Sequence, residues 1–443
     1  DVDGDMDGLP ADIELTIPFV GSGVEPSRRV VLNLDDAQRQ RIAPGLDVML
    51  TGSTPVVVGG VDEQVEIAAE LKSATLSLPW IGWSKGKGIP ASVAFDLVDR
   101  ENRTVLDDFN LQGDGFGAAG RIEVSASGLA RANMNRVWLN PGDDFSVNIE
   151  AKGDGYDVAV EGRGADLRAL MRHVRKQLQA SGAAEGNVPV NIDARLAQVA
   201  GFNGETMRDV RATARIVNAG LRSFSVTGVG GSGMPFSVVV DGLPPERRVR
   251  VEAFDAGEFL RFLDVYNQVQ GGALGMTLGP GPSNTLAGPL ELRNFRIFNE
   301  PALERLVSTR RDERGSLREA LDRDIDLREV AFDIGTADMS FGAGTLDVAE
   351  AYIRGPLVGF ALQGRVFDRN NRTRMTGTFL PAYGLNSAFA EIPLLGLLLG
   401  NGRDRGLIGV TFLLEGDFDA PKVTVNPLSV IAPGIFRNIF QFR

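Results

Sequence analysis

The sequence predicts an all-β protein, and three observations carry the prediction. Apolar and polar residues alternate with a period of two in most runs, glycine is abundant at 54 of 443 residues, and helical periodicity is short and rare. In RIEVSAS, Ile122, Val124 and Ala126 face one way while Arg121, Glu123 and Ser125 face the other. In RVRVEA, Val249 and Val251 oppose Arg248, Arg250 and Glu252, and upstream Phe224 and Val226 hold one parity. Val410, Phe412 and Leu414 share a face in GVTFLLEG, as Val423 and Val425 do in PKVTVNP. Strands of this kind have one greasy and one wetted side, as in antiparallel sheets.

Four stretches read as helix. After Asp166, a plausible N-cap, Leu167, Leu170, Met171, Val174 and Leu178 form one stripe. After Asp255, Phe259, Phe262, Leu263 and Tyr266 do the same. A third runs from Pro301 through Leu303, Leu306 and Val307, and a fourth begins at Ser316 with Glu319 completing a capping box. The first two expose a repeat. Phe145-Ser146-Val147 matches Phe236-Ser237-Val238 at an offset of 91, while Asp166 matches Asp255 and Arg172 matches Arg261 at 89. Repeated β-units that cannot bury their apolar faces alone indicate a solenoid-like build. The expected division is 1–84, an N-terminal β-segment; 85–180, a β-repeat closed by a helix over 166–179; 181–275, a second closed by a helix over 255–269; and 276–443, a C-terminal β-region.

Composition excludes several functions. Hydrophobic residues at 43% argue against global disorder. With no cysteine there are no disulfides, thiolate metal sites or Cys nucleophiles, and the lone His173 leaves no His-clustered zinc site. A net charge of −12 argues against nucleic acid and against general adhesion to anionic lipid. No cofactor is expected. The opening DVDGDMDGLP is acidic where a signal peptide is basic, and it reads as a strand and turn, so the chain is expected to be a fragment of a longer protein. The most apolar run, Ile392 to Gly400, is nine residues, against about 20 for a membrane span.

The segments LPWIGWSKGKGIPA (Leu78 to Ala91), DAGEFLRFLDVYNQVQGG (Asp255 to Gly272), GPLELRNFRIFNEPAL (Gly288 to Leu303) and, most specifically, the stretch from Met375 to Gly434 resemble the AsmA-like family of bridge-type lipid transfer proteins of diderm bacterial envelopes. The resemblance runs from about residue 56 onward and points to the C-terminal portion of large YhdP-type members. It implies an elongated antiparallel β-sheet curled into an apolar groove, along which phospholipid passes between inner and outer membranes without enzymatic chemistry. It also implies a periplasmic location and an inner-membrane anchor at the N-terminus, which this chain does not contain. A TamB-like alternative is a structural or assembly scaffold docked on an outer-membrane β-barrel partner.

Alternation alone leaves an open trough and a closed sandwich both possible. Lipid transfer needs only a continuous apolar trough, since exposing roughly 30 methylenes costs ~25 kcal/mol at ~0.8 each. About 22 strands at ~4.8 Å would line roughly 100 Å. The groove candidates are Val124, Phe224, Val226, Val249, Val251, Val410 and Phe412. The candidates for a membrane or exit end are Ile392, Leu394, Leu395, Leu397, Leu398, Leu399, Ile435 and Phe436, which either plug the groove or dip into a leaflet.

Other motifs have plainer readings. Asp3 to Glu14 satisfies an EF-hand spacing, but Pro10 and the absence of flanking helices favour a glycine-punctuated β-turn. Trp80 and Trp83 either touch acyl chains or pack at a sheet edge. His173 has no G-x-S-x-G nucleophile to serve, no two carboxylates stand out as a glycosidase pair, and GSGVEPS and GVGGSG lack the lysine of a phosphate loop.

Overall fold

Alternation becomes strand throughout the computed structural model, which describes residues 2–6, 9–16, 27–43, 45–60, 65–100, 102–179, 188–217, 220–301, 328–356, 358–381, 410–418 and 420–425. The chain divides into two units. The first comprises Asp1–Arg175, Ala184–Gly201 and Arg208–Gly220, and the second Lys176–Ala183, Phe202–Met207 and Leu221–Arg443.

The first unit contains β1 (Val2–Met6), β2 (Leu9–Thr16), β3 (Ser27–Leu34), helix α1 (Asp36–Ile42), β4 (Leu50–Gly52), β5 (Thr54–Gly60), β6 (Val65–Glu70), β7 (Ala74–Leu78) and β8 (Trp83–Lys85). It continues with β9 (Ala91–Arg100), β10 (Arg103–Gly113), β11 (Gly117–Ser125), β12 (Gly128–Trp138), β13 (Asp144–Lys152) and β14 (Gly155–Asp166). Helix α2 (Arg168–Gln179), which from Lys176 belongs to the second unit, and β15 (Val190–Ala200) follow. The strands pair in the order β1-β2-β3-β5-β6-β9 and then consecutively to β15. β4, β7 and β8 form a separate small sheet. β16 (Thr206–Val217) is divided between the units.

The second unit is a meander of β17 (Gly220–Gly230), β18 (Pro235–Asp241), β19 (Arg248–Ala253), helix α3 (Ala256–Phe262), β20 (Val269–Pro280) and β21 (Leu286–Phe298). β22 (Glu329–Gly342), β23 (Thr345–Arg354), β24 (Val358–Phe367), β25 (Arg372–Pro381), β26 (Val410–Asp417) and β27 (Lys422–Val425) complete it. Each strand pairs antiparallel with the next.

The class is therefore all-β, a large curled sheet that is mostly antiparallel and not closed. One pairing runs the other way: β14 and β15 are parallel, Tyr156 opposite Val190 and Gly162 opposite Leu196. The helix expected over 166–179 begins at Arg168, because Asp166 is the last residue of β14; its carboxylate still accepts from the Arg168 amide at 2.9 Å. The one expected over 255–269 is shorter. Asp255 caps it, accepting from Glu258 N at 3.0 Å, and Asp264 ends it in the left-handed region at φ 54°. The helical readings over Leu303–Val307 and Ser316–Glu319 lie outside the described residues.

Candidate functional site

Residues paired across a ladder project to the same face, so register shows which side chains line up. In the second unit one line reads Val226, Val238, Val251, Met276, Leu290, Ala337, Ala351, Leu362, Gly377, Phe412, Val425. Every member from β17 to β27 is apolar. The line on one side of it runs from Gly228 and Phe236 through Ala253, Leu274, Leu292, Gly335, Ile353, Phe360 and Phe379 to the position of Val410. On the other side, Phe224, Val240, Val249 and Leu278 are followed by Met339, Val348, Gly364, Met375, Leu414 and Val423. A line of the opposite face includes Thr227, Ser237, Glu252, Glu291, Thr336 and Tyr352.

The first unit repeats the arrangement. One line reads Ala11, Leu32, Val56, Ala69, Val93, Leu111, Ala118, Val137, Phe145, Gly162, Leu196. A second reads Val65, Leu97, Leu106, Ile122, Ala132, Ile149, Val158, Ile192. Where β10 carries an extra residue, with Asp108 at φ 48°, the pairing skips from Leu106 to Phe109 and both stay in apolar lines. Phe109 stacks on Phe95 at 6.3 Å. In each unit the longest line crosses eleven strands, roughly 50 Å at ~4.8 Å per strand.

Part of each face is covered and part is not. In the first unit the small sheet lies over the line through Val56, Val93, Leu111 and Ala118. Trp83 is its centre, 8% exposed, edge-on to Phe116 at 5.2 Å, its Nε1 donating to Leu139 O at 2.9 Å. Lys85 behind it is buried, its ammonium donating to the carbonyls of Leu71 and Ala74, and burial holds its pKa below the ordinary lysine value. In the second unit α3 lies at the Phe236 end, Phe259 5.6 Å from Phe236. Leu260 and Tyr266 pack against a cluster containing Phe295, Phe332, Phe360 and Phe379, successive rings 5.2, 6.1 and 5.3 Å apart. Burial and the neighbouring Glu300 carboxylate push the Tyr266 hydroxyl pKa upward. Away from these covers Phe224, Val226, Val238, Val249, Met339 and Met375 are only half-buried. Among the described residues the small sheet is the only other sheet.

Six of the seven groove candidates fall on these lines, and Val124 does not. Val226, Val251 and Phe412 share one, Phe224 and Val249 the next, and Val410 pairs with Phe379 on the third. Val124, in the first unit, pairs with Leu129 and Thr104. The exit-end candidates Ile392, Leu394, Leu395, Leu397, Leu398, Leu399, Ile435 and Phe436 lie outside the described residues. Sequence reasoning missed the small sheet, since Lys85 in alternation with Ser84 reads as a wetted position. It also left Trp83 unresolved: this ring is core, whereas Trp80 is 58% exposed.

The remaining motifs are structural. Within the EF-hand-like segment β1 and β2 pair antiparallel, with Asp3 opposite Asp12 along the ladder. His173 sits in α2 against the turn at Gly82, where an added Cβ would lie 2.7 Å from its own. GVGGSG is the β17–β18 turn, and its amides are already taken. The buried Glu258 carboxylate of α3 accepts from Gly231 N, from Ser232 N at 3.2 Å and from the Ser232 hydroxyl at 2.5 Å. Among the described residues no group of three or more acidic or histidine side chains is placed to hold a metal, and no helix is long and apolar enough to cross a membrane. Comparison with protein-family models, curated proteins and solved structures finds no match.

Proposed function

We propose that this chain is a lipid-conducting segment of the AsmA-like type, holding glycerophospholipid by its acyl chains on the apolar lines and passing it between inner and outer membranes of a bacterial envelope, without chemistry. One observation carries the reading: in each unit one apolar line runs in unbroken register across the ladder, and away from the covers Phe224, Val226, Val238, Val249, Met339 and Met375 remain only half-buried. A folded protein keeps such a surface when something apolar occupies it. The rows ask nothing of the occupant except hydrocarbon, which suits a ligand that slides rather than docks. Native mass spectrometry on the gently purified chain tests this. Co-purifying phospholipid is expected; a lipid-free chain that still captures an outer-membrane β-barrel protein would favour the scaffold instead.

A further inference from the structure

The three apolar lines of the second unit are followed, one step further along the strands, by a fourth that changes character. Over β20 to β24 it stays apolar: Pro280, Leu286, Phe341, Leu346, Phe367. At the β17–β19 end it is cationic. Arg222 lies two residues before Phe224, in phase with it and exposed, and Arg247 lies two residues before Val249. Between them stands Gly242, where a Cβ would come within 3.5 Å of the Arg247 Cα. The Arg247 guanidinium reaches Leu221 O at 2.5 Å and Gly242 O at 3.4 Å, both carbonyls. Among the described residues neither arginine forms an ion pair. The opposite rim differs, for Arg261 there is held by Glu205 at 2.6 Å. Partial burial also depresses the Arg247 pKa, as expected of a guanidinium lacking a counter-anion.

We infer that Arg222 and Arg247 form a seat for the phosphodiester of a glycerophospholipid whose acyl chains lie on the adjoining lines through Phe224, Val249, Val226 and Val251. The inference rests on the proposed function and adds which rim takes the head group. Two cations where an apolar strip stops match an amphiphile at its head–tail boundary, and guanidinium groups suit the paired oxygens of a phosphodiester.

The test uses the full chain with phosphatidylglycerol and diacylglycerol of identical acyl chains. Wild type is expected to prefer phosphatidylglycerol by about tenfold, the effect of one good charge-assisted contact. Arg222→Gln should reduce that preference severalfold and leave diacylglycerol binding unchanged. Arg222 makes none of the bonds of the β17–β19 turn, so this variant decides the matter even if Arg222→Gln/Arg247→Gln fails to fold. An undiminished preference in Arg222→Gln, or equal wild-type binding of the two lipids, overturns the head-group seat and leaves the conduit standing. Retention of neither lipid by wild type sinks the conduit as well. Binding of inorganic phosphate alone, displaced by neither lipid, reduces the pair to a plain anion site and also overturns the inference.

Discussion

In the first unit β14 passes through α2 to a strand running parallel to it, whereas in the second β19 passes through α3 to a strand running antiparallel. The sequence aligns the two segments, Phe145 with Phe236 and Asp166 with Asp255, and each aspartate accepts from the first turn of a helix. The helices differ in length: the 12 residues of α2 rise ~18 Å and the 7 of α3 rise ~10 Å. The apolar lines survive both returns. Val158, Val160 and Gly162 meet Ile192, Ala194 and Leu196 across the parallel pair, and Val249, Val251 and Ala253 meet Leu278, Met276 and Leu274 across the antiparallel one. Strand direction is free to vary between the two segments; the continuous apolar face is what both preserve.

A second contrast lies within each face, between covered and uncovered stretches, and mutations can sharpen it. The largest effect is expected from breaking the uncovered stretch itself. Val226→Asp with Val249→Asp, both half-buried in the protein, places charge where hydrocarbon is expected, costing several kcal/mol for each charge taken out of water. Bound phospholipid should vanish from native mass spectra while circular dichroism still reports strand. Next comes the covered end: Phe332→Ala, at a position 2% exposed between two rings, should cost about 3–5 kcal/mol in denaturant unfolding. Phe224→Ala on the half-buried line should cost clearly less, and equal losses would erase the contrast. Smaller again is Glu258→Ala, which strands the Gly231 and Ser232 amides and should cost about 1–3 kcal/mol.

The smallest expected effect concerns α2. Arg168 beside Asp166 holds that carboxyl below the ordinary carboxylate range. Its contribution is therefore complete above the ordinary aspartate pKa and is lost as pH falls through the depressed one. Asp166→Ala should cost about 1 kcal/mol at neutral pH and converge with wild type in acid. A constant difference across that range would place the effect elsewhere.

How much of this was readable beforehand follows from the physics of each part. Alternation around Val249, Val251, Phe412 and Val425 gave strands and their faces, because parity is a local property. The bulge at Asp108 was invisible, since an extra residue looks like noise until the partner strands are known. So was the small sheet, whose Lys85 satisfies its ammonium on the carbonyls of Leu71 and Ala74, and no periodicity encodes such a tertiary arrangement. The parallel pairing of β14 with β15 was not legible either, since alternation gives the faces of a strand and not its direction.

The central claim is that one parity of these strands touches lipid and the other does not. Val249 and Val251 lie on apolar lines, with Arg250 between them on the opposite face, paired with Val239 and Thr277. Photo-crosslinkers placed singly at the three positions in cells test that alternation directly. Lipid adducts at 249 and 251 with none at 250 are predicted, and equal labelling at all three would contradict a one-sided lipid face.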